Sequence, residues 1–131
     1  MDYIDNIIEN LAIRIIDRNE SEIVNFCIEN GINDSDEFVE QFDVDNFDNL
    51  TNLLIEEIGD AAMHYTDAYE ILRDYGWLSN WDKLTDYNGG EWYGISQVAE
   101  AALWYEFHAD YERCMEDLKE QIFTQIEDNL E

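Results

Sequence analysis

The sequence predicts an all-α fold. Residues 1–131 form one compact, acidic helical domain, with an aromatic, glycine-containing loop leading into a long, bent C-terminal helix. Three observations carry this expectation. Apolar residues recur at three- and four-residue steps through most of the chain, the period of a helix with one buried face. Proline is absent, and four of the six glycines fall within Gly76 to Gly94, so little interrupts a helix elsewhere. An apolar share of 46% and an aromatic share of 14% supply a core at this length without disulfides or metal.

Each element follows from its own residues. Ile4, Ile7, Ile8, Leu11 and Ile15 define an amphipathic first helix over roughly Asp2 to Asp17. Arg18-Asn19-Glu20 reads as a break before a short second helix, with Ser21 as N-cap and Gly31 just past its end. Ser35 is placed to cap a third helix that turns Phe38, Val39 and Phe42 inward. Helical spacing resumes from about Asn46 to Tyr75 through Phe47, Leu50, Leu54, Ile58, Tyr65, Ala68, Tyr69 and Leu72. Gly59, in mid-run, is positioned to kink or divide that helix. Gly76 to Gly94 reads as a packed aromatic loop, with a turn or short hairpin at Asn88-Gly89. Beyond it, Trp104, Phe107, Tyr111, Cys114, Leu118, Ile122, Ile126 and Leu130 keep a steady rhythm behind Ser96 as N-cap. About thirty helical residues span roughly 45 Å. A globule of this length has a radius of gyration near ~14 Å, so the helix bends around the core or runs past it to meet a second copy.

Catalytic chemistry is not expected. His64 has Asp60 and Asp67 at helical spacing and His108 has Glu112, but histidines beside acids are ordinary in so acidic a chain. A di-iron carboxylate bundle needs Glu three residues before each histidine, where Ala61 and Tyr105 stand. A calcium loop beginning at Asp43 fails at Phe47, Asp48 and Leu54. No phosphate-cradling glycine loop or nucleophile elbow is present. No catalytic residue, metal ligand or cofactor is therefore assigned. Cys27 and Cys114 are expected as inert, partly buried thiols. The opening MDYIDNIIEN is acidic, unlike a signal peptide, and no transmembrane window occurs, so the expected compartment is the cytoplasm. Tyr65, Tyr69, Trp104 and Phe107 are read as core, and Trp77, Trp81 and Trp92 in the loop as interface aromatics.

The charge is the informative feature. Thirty-three acidic residues oppose six basic ones, a formal charge of -27, and no Lys or Arg occurs between Arg18 and Arg73. Like charges at this density destabilise a compact chain. They also repel nucleic acid and anionic lipid, so the fitting partner is a basic protein surface. Within NDSDEFVEQFDVDNFDN stand Asp34, Asp36, Glu37, Glu40, Asp43, Asp45 and Asp48. Helical spacing continues the series through Glu56, Glu57 and Asp60, then Asp67, Glu70 and Asp74. On the last helix it takes in Glu106, Asp110, Glu116, Asp117 and Glu120. Helix neighbours of this kind stand about 5–6 Å apart, close to the phosphate repeat of one nucleic-acid strand. At about 1.7 Å of duplex axis per charge, the net charge corresponds to about 46 Å, or roughly thirteen to fourteen base pairs. These carboxylates are the candidate phosphate mimics, and the repulsion among them is relieved when a phosphate-binding groove closes over them. An acidic immunity-type module that neutralises a basic partner without imitating DNA is the alternative, and general salt adaptation a third.

The run DAAMHYTDAYEIL from Asp60 to Leu72, followed by QVAEAALWYEFHADYERCMEDLKEQI from Gln97 to Ile122, resembles the phage anti-restriction DNA mimics of the Ocr type. The shared pattern, over residues 55 to 125, is an Ala-x-x-His-Tyr helix, a loop, and a long acidic helix. The resemblance implies an all-α dimer that imitates bent B-form DNA and occupies the DNA groove of a type I restriction enzyme in the host cytoplasm. This chain departs from the pattern in its acidic N-terminal third and in lacking a C-terminal run of Glu. Other phage inhibitors, some anti-CRISPR proteins among them, resemble it in composition.

Overall fold

Nine buried side chains, from Ile4 to Cys27, draw the first 27-residue element onto the core. The computed structural model describes residues 3–78 and 94–130, and the predicted turn at Asn88-Gly89 lies outside them. Among the described residues every regular element is helical: α1 (Tyr3–Glu29), α2 (Ser35–Gln41), α3 (Leu50–Ala61), α4 (Tyr65–Asp74), α5 (Ile95–Ala109) and α6 (Tyr111–Ile126). Short 3-10 turns cover Val44–Asn46 and Glu127–Leu130. α1 packs along α6 and also touches α3, α4 packs on α5, and α2 lies on α6.

The predicted break near Asn19 is a kink inside one element. Asn19 leaves helical geometry (φ -135, ψ 15). Its carboxamide donates to the Ile15 carbonyl at 3.0 Å and to Asp48 at 2.9 Å, so the interruption is bridged and Ser21 caps nothing. Gly31, expected just past the end of a separate second helix, instead follows the end of α1 at Glu29, and its φ is 63. Gly31 N donates to Ile28 O and Ile32 N to Cys27 O, a paired closure that needs the left-handed residue and folds buried Ile32 back over buried Cys27.

The acid-rich segment folds because it has an apolar underside. Phe38 and Phe42 stack with centroids 4.5 Å apart, Phe42 and Phe47 at 5.1 Å, and Phe38 meets Phe123 of α6 at 5.3 Å. Such ring pairs contribute about 0.5–1.5 kcal/mol each beyond area burial. The N-cap of α2 is Asp34 rather than Ser35, its carboxylate accepting the Glu37 N–H at 2.8 Å. An ionised cap also suits the positive end of the helix.

Three boundaries differ from expectation. The third helical run begins at Leu50, capped by Asn49, and it divides at Ala62–His64 rather than at Gly59. That division rotates the stripe of α4. Ala68, Ile71 and Leu72 face inward, while Tyr65 and Tyr69, expected in the core, are 69% and 42% exposed. The long C-terminal helix bends sharply, at Asp110 (φ -133, ψ 43) between α5 and α6. Gly94 rather than Ser96 precedes α5, and the Ser96 hydroxyl donates to Met63 O at 3.3 Å. No helix among the described residues is long and apolar enough to cross a membrane.

Candidate acidic interaction surface

The five described cations are engaged within the fold. Arg14 on α1 ion-pairs with Glu56 and Glu57 of α3, the latter at 3.1 Å. Arg18 holds Asp48 at 3.1 Å, and Arg73 holds Asp74 at 3.0 Å. Arg113 bridges Asp110, Asp117 at 2.7 Å and Asp5 of α1 at 3.5 Å, bracing the bend between α5 and α6. Lys119 donates to the Val39 carbonyl of α2 at 3.3 Å. All but the Arg73 pair, which lies within α4, tie separate segments together, and among the described residues the other carboxylates form no ion pair.

Asp48 is a correction to the candidate set. Its side chain is 7% exposed and accepts from Arg18 and Asn19, so it braces the α1 kink instead of facing a partner. Trp77 is a second correction. Gly76 N donates to Arg73 O and Trp77 N to Leu72 O around a left-handed Gly76, which turns Trp77 into the core at 0% exposure. Trp81 and Trp92 lie outside the described residues. Tyr111 is a third: it follows the apolar rhythm yet stands 45% exposed. Cys27 and Cys114 are fully buried, and burial pushes the Cys27 thiol up to about 11.

Many of the candidate acids gather in two places. Asp34, Asp36, Glu37 and Glu40 on α2, with Asp43 and Asp45 in the following turn, are all exposed, and among the described residues none pairs with a cation. Asp34 and Asp43 also hold backbone N–H groups of Glu37 and Asp45, which fixes their orientation. Because α2 lies on α6, Asp36 of this ridge comes near Glu120, which neighbours Glu116 and Asp117 on α6. The Glu120 carboxyl is raised above the ordinary value first by burial, then by Glu116, Asp117 and Asp36. Carboxylates of two helices therefore share one field.

The second gathering lines a groove of about 410 Å³ between α1, α3 and α4, where Glu57, Asp60, Asp67 and Glu70 face Tyr3, Asn6 and Asn10. Beside it, the Tyr3 hydroxyl donates to Asp74 at 2.6 Å. That hydrogen bond, with burial, pushes the Tyr3 phenol up to about 12, and it holds Asp74 below the ordinary carboxylate range together with Arg73. Glu106, half-buried on α5, lines neither place. The exposed acids of α1 (Asp5, Glu9, Asp17, Glu20, Glu22 and Glu29) were not singled out from sequence, although they occupy the polar positions of its apolar rhythm.

His64 precedes α4 while Asp60 ends α3, so the trio with Asp67 does not share one helix. Among the described residues no group of three or more His, Cys, Asp or Glu side chains is arranged to hold a metal. Set against protein-family models, curated proteins and solved structures, the chain matches none of them.

Proposed function

We propose that the protein is a DNA mimic that occupies the basic DNA-binding groove of a host nucleic-acid enzyme, a restriction-modification system or another anti-phage defence complex. One observation carries this reading. Arg14, Arg18, Arg113 and Lys119 are engaged in holding segments together, while the acids of the α2 ridge, on a phenylalanine-anchored scaffold, stay exposed and, among the described residues, without an ion pair. A protein that needed only solubility has no use for concentrating carboxylates that, among the described residues, form no ion pair. Rigidity matters as much as charge, because a preorganised array loses little freedom on binding. The resemblance to anti-restriction mimics points the same way and adds dimerisation to the proposal.

The test is capture from bacterial lysate with and without competing duplex DNA. The expected result is retention of DNA-binding proteins, released by duplex and weakened steeply by salt, as expected when phosphate-binding side chains are the contact. Replacing Asp36, Glu40, Glu116 and Glu120 together by Asn or Gln is expected to lower affinity at least tenfold. Any one replacement alone has little effect, since exposed ion pairs contribute about 0–1 kcal/mol each. Retained proteins that duplex DNA does not displace overturn the mimicry and leave the immunity-type alternative. Under that alternative Trp77 is not the side chain to replace, because its loss disturbs the core.

A further inference from the structure

We infer that the ring stack Trp104–His108–Tyr111, at the junction of α5 and α6, is a docking point for arginine side chains of the basic partner, selected over lysine. The inference rests on the proposed reading that the partner is basic. Trp104 and His108 lie with centroids 5.4 Å apart and planes 20° apart, and His108 and Tyr111 at 6.0 Å and 10°. Three rings thus stand nearly parallel at positions i, i+4 and i+7, across the bend. Buried Phe107 supports them edge-on, at 5.6 Å from His108 and 5.9 Å from Tyr111. The His108 Nδ1 contact with the Trp104 carbonyl at 2.9 Å fixes the middle ring. His108 is exposed and Tyr111 is 45% exposed, so this ordered stack is presented to solvent rather than folded away. Trp104, Tyr105, His108 and Ala109 line a recess of about 410 Å³ beside it.

Charge decides the occupant. Exposed Asp110 and Glu112 lie in the same segment, and the nearby Arg113 is held by Asp110, Asp117 and Asp5. In a chain of net charge -27, an acidic partner is repelled from this segment. A guanidinium is flat, always charged and weakly hydrated, so it stacks on ring faces while donating to carboxylates. An ammonium gains from the carboxylates but matches the parallel rings poorly.

Nona-arginine and nona-lysine carry equal charge and serve as the probes, with calorimetry at physiological salt as the readout. The wild-type chain is expected to bind nona-arginine roughly 2- to 5-fold tighter. His108→Ala with Tyr111→Ala removes that preference and leaves nona-lysine binding unchanged. In the wild-type protein, nona-arginine shifts the ring resonances of Trp104 and Tyr111, which requires no variant to fold. Equal affinity for both peptides, an equal loss of both in the double variant, or unmoved Trp104 and Tyr111 resonances overturn the inference. Loss of both peptides on neutralising the α2 and α6 acids tests the acidic surface instead. Failure of duplex DNA to displace a captured partner removes the mimicry and leaves the comparison of peptides intact.

Discussion

Glu120 condenses the electrostatic problem of this protein into one side chain. It is half-buried on the face of α6 turned to α2, and its carboxyl is raised by burial and by Glu116, Asp117 and Asp36. The fold therefore holds the Glu120 proton more tightly than the unfolded chain does. The resulting stability is fully present below the ordinary value of 4.5 and is lost as pH rises through the raised value. At neutral pH the ionised group works against the fold. Glu120→Gln is expected to stabilise the chain there by about 0.2–0.5 kcal/mol, the cost of one like-charged pair a helical turn apart. Thermal melts of both proteins from pH 7 down to pH 3.5 check this. The gap should close below about pH 4.5, and a gap that stays constant with pH means the effect is not electrostatic.

At the scale of elements, the apolar rhythm located every helix among the described residues, and it erred where a side chain or a backbone hydrogen bond decides the boundary. Asn19 leaves helical geometry, yet its carboxamide spans the gap to Ile15 and Asp48. Period alone reports a gap there, because it carries no information about a side chain's partner. Gly31 was legible, since a glycine after the last apolar residue has one structural use. Gly76 has the same use, but it stands among aromatics that suggest a surface loop, so the burial of Trp77 was not legible. Acids on the solvent face of a helix were legible as a class. Their division into a ridge and a groove depends on which helices become neighbours, and that is a tertiary fact. Gly59 shows the cost of reading composition alone. It lies inside α3, and a Cβ there would meet only Glu100 Oε1 at 3.8 Å, an ordinary contact. Gly59→Ala is therefore expected to stabilise the protein by about 0.5–1 kcal/mol, through a less mobile unfolded chain and better helix propensity. Denaturant melts measure it. Destabilisation would show that the helix needs glycine at this turn.

For the whole molecule, the opposing quantities are a continuous apolar core and a surface whose charges repel one another. The core includes Leu11, Ile15, Ile23, Leu72, Trp77 and Leu103 at 0% exposure, and each such side chain contributes about 1.5–3 kcal/mol on burial. Against it stands a net charge of -27 whose five described cations are all engaged in local contacts. Salt separates the two, because it screens the surface and barely touches the core. The Debye length falls from about 30 Å at 0.01 M to about 10 Å at 0.1 M, so long-range repulsion is largely removed over that interval. The melting temperature is accordingly expected to rise steeply between 0.01 and about 0.15 M sodium chloride and then to flatten. Salt adaptation predicts a different curve, with low stability at physiological salt and steady gains toward molar concentrations. Partner binding should move in the opposite direction over the same range, strongest at low salt where the free protein is least stable. Opposite slopes in the two titrations are what a surface kept repulsive for the sake of a basic partner requires. If binding strengthens as salt is added, the carboxylates are not the contact, and the DNA-mimic proposal falls with them.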